Sequence, residues 1–429
     1  MRSRTITAFA MCFVICCGFI AGVKTGGNNT RQIANPSLDT LKIVYFGSSV
    51  PFGFGAKNNF GYTQMFSRLL QQRAADGTGK AWQTVNKSIG GDNTVRLLAR
   101  WQRDLIPQKA KYVVYALSLG NEGIHEHGKP MYDQFKTNMT RLIAMARDSG
   151  YVPIVTNCYT RNDFTEADYY YVKKLNLWIN NLDVPSVNLL GAIDDGTGKW
   201  APHYWFNDGH PNDAGHAEMS YAIVPSLFDA LANGKPEPKL IDASYLSWGD
   251  KEKSKLLAFK PDNALHAFTT CITVKADGNG RLLQLKDSTG KTGYLEINAN
   301  GFVNYRSAKQ QGITGITKIT DGNWHKLILT HYYARGETDL YCDSTLQGKV
   351  AEKLVTKELD LGKSTGKALD AKNWLFYRSG MNLTEAKALT ENKLLKSSLE
   401  LYAPLDGKHS ATKDVLVNLA QSTNVINWQ

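Results

Sequence analysis

From residue 41 to about residue 231 the chain alternates between short apolar runs and longer stretches whose apolar positions recur at helical spacing. Residues 41–46 (LKIVYF), 82–86, 111–119 (KYVVYALSL), 151–157 and 186–190 read as strands. The third of these is almost wholly apolar, as expected of a central strand covered on both faces. Between and after them, 61–74, 94–106, 131–148, 166–181 and 213–232 read as helices; the first places Tyr62, Met65, Phe66 and Leu69 on one face. Such alternation predicts an α/β fold, an open parallel sheet between two helical layers. Functional groups in such sheets gather beyond the carboxyl ends of the strands.

Near residue 233 the pattern changes. Asn233-Gly234-Lys235-Pro236-Glu237-Pro238 breaks the last helix and reads as a linker. Beyond residue 246 come short segments of period-two alternation, at 266–275, 281–285, 294–297, 324–332 and 339–343. Asp277-Gly278-Asn279-Gly280 and Ser288-Thr289-Gly290 supply turn chemistry between them. This half predicts an all-β sandwich. The expected organisation is an α/β domain over 38–234, a linker over 235–244 and a β-sandwich over 245–429.

The length of 429 residues suits two domains rather than one core. The first residues change the picture of where the protein works. Met1-Arg2-Ser3-Arg4 is a positive end, and an apolar run follows over 6–21. This predicts a signal peptide over 1–25 and an exported protein, periplasmic, cell-surface or extracellular. Cys16 and Cys17 raise lipid attachment, although Val14-Ile15 lacks the small residue expected just before an acylated cysteine. Cys158, Cys271 and Cys342 are an odd set that argues against a disulfide framework, with a Cys271–Cys342 pairing left open. The formal net charge is +11, but lysines and arginines are interspersed with acids. Without clustering, a nucleic-acid partner is not expected. Attraction to an acidic glycan or an anionic membrane surface stays open.

Four segments carry candidate chemistry: Gly47-Ser48-Ser49, Ser88-Ile89-Gly90-Gly91-Asp92, Gly120-Asn121-Glu122 and Asp208-Gly209-His210-Pro211-Asn212. Each sits just after a stretch that reads as a strand, and so is expected at one edge of one sheet. A serine becomes a nucleophile only when a base takes its proton and fixed dipoles hold the resulting oxyanion. Taken alone, Gly-Ser-Ser after a strand is a turn or a helix cap, and Gly90-Gly91 is an ordinary turn. Nor is Ser49 in a G-x-S-x-G elbow, because Pro51 takes the second glycine position. His210 lies among polar residues rather than on an apolar helical face, and Asp208 is near enough in sequence to orient its ring. His216 reads as structural. His203, Asp208, His210, Asp213 and His216 could be assembled as metal ligands, but that would leave Ser49 and Asn121 idle. Neither metal nor cofactor is expected.

In this order the segments resemble the four blocks of the SGNH, or GDSL-type, hydrolase superfamily. The resemblance implies a three-layer α/β/α fold with a flavodoxin-like parallel sheet, Ser49 as nucleophile and His210 as base. It also implies an oxyanion hole made by Ser49, Gly91 and Asn121. The chain departs from the family at Ser48 and Glu122, where aspartates are usual, and at Asn207, where the triad aspartate is expected three residues before the histidine. Two arrangements are then open: a shortened turn in which Asp208 completes a triad, or a Ser–His dyad helped by a backbone carbonyl.

Asp321-Gly322-Asn323-Trp324-His325, Asp339-Leu340-Tyr341-Cys342-Asp343 and Met381-Asn382-Leu383-Thr384-Glu385-Ala386 resemble the laminin-G-like, concanavalin-type jelly roll, with Trp324 expected to pack inward. An exported hydrolase joined to such a module implies an esterase acting on an esterified polysaccharide, with acetyl as the expected acyl group and cell-surface association open. Trp200, His203, Tyr204 and Trp205 precede the catalytic loop and could wall a sugar site or equally belong to the core, and Asp163 and Glu166 could contact substrate, although nothing in the sequence singles them out. A lipid esterase or lysophospholipase is the alternative enzyme, disfavoured by a rim that reads as polar and aromatic. A glycan-binding adhesion protein with a non-catalytic SGNH domain is the alternative outside catalysis. The acyl group, the sugar and the oligomeric state are not legible.

Overall fold

The structure is a computed structural model and describes residues 37–429, apart from 242–243, 249–254, 264, 310, 363–368 and 413. The expected signal segment, with Cys16 and Cys17, lies outside the described residues. Ser37–Gln429 forms one compact unit.

Five parallel strands make the first sheet, in the order β2 (Gln83–Asn86), β1 (Asp39–Gly47), β3 (Ala110–Ala116), β4 (Val152–Thr156), β5 (Ser186–Val187). After β1 the chain crosses to β2 on one side, and β3 lies on the other. The carboxyl ends of β1 and β3 therefore flank a crevice where the strand order reverses. One helical layer comprises α3 (Thr94–Arg100), α6 (Lys129–Asp148) and α7 (Glu166–Asn180), packed around Phe46, Val113, Tyr115, Phe135 and Leu175. The other comprises α2 (Tyr62–Ala75), α9 (Asp213–Tyr221) and α10 (Leu227–Ala232), packed around Tyr45, Tyr62, Phe66, Met219 and Phe228. Short helical turns α1 (Ser49–Phe52), α4 (Leu119–Glu122), α5 (Ile124–His127) and α8 (Leu190–Ile193) follow strands or open helices.

Three expected elements differ, each for a local reason. The helix expected over 94–106 is helical only to Arg100, then widens into a π turn over Trp101–Leu105 and a 3-10 turn over Ile106–Gln108. Pro107 cannot donate to the α-helical ladder. The closing helix splits into α9 and α10 around Pro225 for the same reason. The last strand is cut to Ser186–Val187 because the Asn157 side-chain oxygen accepts from the backbone N–H groups of Leu189 (2.7 Å) and Leu190 (3.1 Å), pulling the chain into α8.

The β-rich half is antiparallel. Its first sheet runs β17 (Thr345–Ala351), β16 (Glu337–Cys342), β15 (His325–Tyr332), β10 (Phe268–Ala276), β19 (Leu369–Tyr377), β20 (Leu399–Ala403), with β8 (Leu246–Trp248) also paired to β19. The second runs β14 (Gly312–Lys318), β13 (Phe302–Arg306), β12 (Thr292–Ile297), β11 (Gly280–Asp287), β18 (Thr356–Leu361), β9 (Leu257–Phe259), β23 (Ile426–Trp428), β22 (Val415–Leu416), β21 (Ser410–Thr412). Phe268, Ile272 and Phe376 of the first sheet meet Leu283, Leu295 and Leu359 of the second in one core. One helix, α11 (Leu383–Thr390), packs on the outside against Tyr377 and Tyr402. Trp324 is half-buried, between Tyr245 and Lys372, rather than in the core.

Cys158, Cys271 and Cys342 are free and buried, so the open Cys271–Cys342 pairing is not made. β15 lies between their strands, which puts two strand spacings, about 9–10 Å, between them. Cys271 aligns through Ile328 with Tyr341, so Cys342, one residue on, points to the opposite face of the sheet.

Candidate functional site

Ser49 begins α1 directly after β1, and Ser48 before it has extended φ/ψ angles. A residue in the first helical turn has no intrahelical acceptor for its N–H, so the amide is left to face the crevice. The second segment closes against it. The Ile89 N–H donates to the Gly47 carbonyl at 3.0 Å, and a methyl group on Gly90 would come within 3.9 Å of the Ser49 Cβ. Gly91 has φ +77°, a left-handed conformation that only glycine adopts without strain, and it is exposed at the crevice.

The third segment is laced to the second. One hydrogen of the Asn121 amide goes to the Asp92 carbonyl at 3.0 Å, and Asn93 Nδ2 donates to the Asn121 carbonyl at 3.2 Å. A primary amide carries two hydrogens, which leaves the second for another acceptor. Glu122 is buried and accepts from the Thr94 backbone N–H (3.0 Å), the Thr94 hydroxyl and Gln134 Nε2 (2.8 Å). Arg100 anchors the same loop through Asp92 (2.6 Å) and the Lys87 carbonyl (2.8 Å), with its guanidinium 3.9 Å from the Phe46 ring centroid. Burial raises the Asp92 carboxyl above its ordinary range against the opposing pull of Arg100.

The fourth segment does not follow a strand of the parallel sheet. It forms a small antiparallel hairpin, β6 (Trp205–Asn207) with β7 (His210–Pro211), in which Asn207 and His210 are directly opposed. Opposed residues carry their side chains on the same face. His210 Nδ1 therefore meets Asn207 Oδ1 at 2.8 Å, while His210 Nε2 meets Ser49 Oγ at 2.8 Å. Asp208 and Gly209 are the two residues of the turn. Asp208 is exposed and offers the site only its backbone carbonyl, which accepts from the Asn162 N–H (2.8 Å) and Trp200 Nε1 (2.9 Å). The expected Asp208 partner is thus replaced by Asn207, since a turn-tip side chain points away from the ring that the hairpin strands share.

The orientation of Asn207 follows from a second bond. Gly209 N–H, which can only donate, reaches the same Oδ1 at 3.1 Å. The atom facing the imidazole is therefore the oxygen, Nδ1 carries the hydrogen, and Nε2 presents a lone pair to the serine hydroxyl. That is the tautomer a general base needs. Burial, and then the positive charge of Arg161, lower the His210 pKa from its ordinary value.

Arg161 was not singled out in the sequence, since it sits in a loop of no regular pattern. Its Nε and Nη2 donate to Asp163 at 2.8 and 2.5 Å. Its Nη1 edge lies over the glycines beside Asn121 and His210: methyl groups on Gly120 and Gly209 would fall 2.9 and 3.3 Å from it. Asp163 thus meets the site through Arg161, and Glu166 opens α7 as an exposed residue.

Of the residues that could wall a sugar site or belong to the core, two turn inward. Trp200 is buried, and Tyr204 is half-buried beneath Lys353 of the β-rich half. The rim is instead apolar. Phe52 and Phe54 are each 41 % exposed, Trp205 43 %, Phe206 58 % and Ile89 46 %. Phe54 packs 4.5 Å from the His210 ring and meets Phe206 edge-on. The rim is aromatic, as read from the sequence, but more apolar than that reading: loop phenylalanines carry no periodic signal of where they point.

His216 is a core residue. Its Nδ1 accepts from the Tyr62 N–H at 3.2 Å and its Nε2 donates to the Phe54 carbonyl at 3.0 Å. Burial lowers its pKa to about 4. Asp213 Oδ1 accepts from the Lys57 N–H at 2.7 Å. The ring nitrogens of His210 and His216 are thus both committed. Among the described residues, the grouping whose donor atoms could share a metal is His325, Cys342 and Asp343 in the β-rich half, within 4.8 Å of one another. There the His325 nitrogens already face Asp343 (3.1 Å) and Asp321 (2.9 Å).

Residues 45–218 match the model of the GDSL-like Lipase/Acylhydrolase family, a span that contains Ser49, Gly91, Asn121, Asn207 and His210. No curated protein matches the chain. Among solved structures, a catalytic mutant of Axe2, an acetylxylan esterase from Geobacillus stearothermophilus, is similar at 18% identity and a TM-score of 0.36, covering 43% of this chain and 93% of that one. LAE5, an alpha/beta hydrolase enzyme from the metagenome of Lake Arreo, Spain, is similar at 19% identity and a TM-score of 0.35, covering 46% of this chain and 96% of that one.

Proposed function

We propose that this protein is an exported serine ester hydrolase that removes acyl groups, acetyl in particular, from a polysaccharide. The observation that carries the reading is the relay Ser49 Oγ–His210 Nε2, His210 Nδ1–Asn207 Oδ1, with both contacts at 2.8 Å. His210 takes the serine proton as Ser49 Oγ bonds to the ester carbonyl carbon. The tetrahedral oxyanion is held by the N–H groups of Ser49 and Gly91 and the free hydrogen of the Asn121 amide. His210 then gives its proton to the departing alcohol oxygen. Water repeats the sequence on the acyl-enzyme, releasing the carboxylic acid and restoring the serine hydroxyl.

Asn207 supplies orientation without charge. It fixes the tautomer as a triad aspartate would, so the neutral residue at that position no longer argues for a vestigial domain. The match of residues 45–218 to an acylhydrolase family supports the reaction class. Sugars present apolar C–H faces, and the exposed rings of Phe54, Trp205 and Phe206 offer surfaces for them. The resemblance of the second half to laminin-G-like modules supports a glycan as the alcohol component.

The same rim favours a second reading, an amphiphilic ester with a longer acyl chain. The test compares wild type with Ser49→Ala on p-nitrophenyl acetate, then acetate release from acetylated xylan with hydrolysis of long-chain p-nitrophenyl esters. Loss of hydrolysis in Ser49→Ala, with xylan acetyl groups preferred, supports the proposal. Preference for long chains supports the lipid reading, and unchanged activity in Ser49→Ala removes both.

A further inference from the structure

The outer face of the second β-sheet holds a groove that has no part in the site at Ser49. On β12 the buried Leu295 and Ile297 alternate with residues that face outward, Tyr294 among them. Tyr294 is directly opposed to Arg306 on β13. The Arg306 guanidinium lies 5.2 Å from the Tyr294 ring centroid, and that of Arg281, from β11, lies 4.0 Å from it. Lys291 and Lys309 complete the cationic lining of an open groove of about 560 Å³. Four cations and no carboxylate line it. Two acids border it: Glu296, opposed to Arg281 on the neighbouring strand and 3.4 Å from Arg306 in an exposed pairing, and Asp287, whose carboxylate accepts from the Lys291 backbone N–H at 2.8 Å.

Two guanidiniums on one ring repel each other, and the ring's negative face holds them there. The ring thereby keeps both guanidiniums at the groove, where each brings five N–H donors. A guanidinium fork fits carboxylate and sulfate groups in bidentate fashion. The volume exceeds what one small anion fills and falls in the range of ligand-sized clefts. With Tyr294 engaged by the arginines, the lining offers no free aromatic face for a nucleobase to stack on. Apart from that ring the lining has no large apolar side chain to enter a bilayer.

We propose that this groove binds an anionic polysaccharide through the carboxylate or sulfate groups on its sugars. The proposal goes beyond the ester-hydrolase reading and is separable from it, because binding can be measured on the full chain carrying Ser49→Ala. That protein is titrated calorimetrically with polygalacturonate, dextran sulfate and unsubstituted xylan, and with single-stranded DNA and phosphatidylglycerol vesicles as other polyanions. The comparison variants are Arg281→Gln/Arg306→Gln, the charge-retaining Arg281→Lys/Arg306→Lys, and Arg141→Gln/Lys239→Gln, which removes two exposed cations elsewhere.

The expected result is that at least one acidic glycan binds, and that the groove glutamine pair weakens it about tenfold or more. The lysine pair should fall between, the distant pair should change little, and neutral xylan should not compete. Which acidic glycan binds tells carboxylate from sulfate. An equal loss in the distant pair would reduce the effect to net charge and overturn the proposal. So would no binding of either acidic glycan, or DNA or vesicles bound as tightly and lost on the same groove variants.

Discussion

At the residue scale the decisive atom is Asn207 Oδ1, held by the Gly209 N–H so that it must accept from the imidazole. A carboxylate in its place would favour the imidazolium; a neutral amide does not. Burial and the Arg161 charge push in the same direction, lowering the His210 pKa. A base acts when unprotonated, so activity is present above its pKa and lost as pH falls through it. The acid limb of kcat/KM for p-nitrophenyl acetate is therefore expected below the usual histidine value of about 6.5. Arg161→Gln should move that limb upward, and Asn207→Asp should do the same by adding a negative charge. A wild-type limb at or above the ordinary value, or one unmoved in both variants, would contradict this account. Asn121→Ala should keep the fold and lose about 10²–10³ in kcat, the usual effect of deleting one oxyanion donor. An unchanged rate would take Asn121 out of the site.

At the scale of elements, the site is held by the ends of short pieces rather than by long helices. The turn of α4 and the start of α3 are joined by Glu122, which accepts from the backbone and hydroxyl of Thr94 and from Gln134. Since Asn121 also bonds the Asp92 carbonyl, displacement of one loop displaces the other. Glu122→Ala leaves several buried donors without an acceptor and should cost about 2–4 kcal/mol in urea unfolding, with activity falling too. Glu122→Gln, which keeps one acceptor oxygen, should lose less of both. Equal stability of Glu122→Ala and wild type would show that the loops stand without this link.

At the scale of the whole molecule, the α/β and β-rich halves are joined by a buried polar seam as well as by the chain between them. Ser398 N–H donates to the Ser186 carbonyl (2.9 Å), Asn188 N–H to Ser398 Oγ (2.8 Å) and Asn188 Nδ2 to Glu385 (2.9 Å). The buried Arg378 reaches Glu400 of its own half at 3.0 Å and the Tyr221 carbonyl across the seam at 2.8 Å. Gly380 N–H meets the Gly191 carbonyl at 3.2 Å, and a methyl group on Gly191 would lie 1.8 Å from the Gly380 oxygen. The groups buried here would be unsatisfied if the halves parted. Calorimetry should therefore show one unfolding transition for the whole chain. Gly191→Ala, by forcing the seam open, should lower its midpoint, through a loss of stability typical of overpacking, about 1–3 kcal/mol. Two resolved transitions in the wild type would mean that the seam does not couple the halves.

Much of this was written along the chain. Apolar runs at strand spacing and stripes at helical spacing specify the α/β half, because burial of one face is a local property of side-chain order. The turn residues and alternation beyond residue 246 do the same for the sheets. Ser49, Gly91, Asn121 and His210 were legible through the resemblance of four ordered blocks to the SGNH superfamily, and of these the structure joins Ser49 to His210 and ties Asn121 to the loop that holds Gly91. What the chain order could not express is which side chain faces which. A two-residue turn exchanged Asp208 for Asn207, strand parity separated Cys271 from Cys342, and loop packing set Arg161 and the phenylalanine rim beside the serine. Those outcomes depend on directions in space between segments far apart in sequence, and only the closed structure decides them.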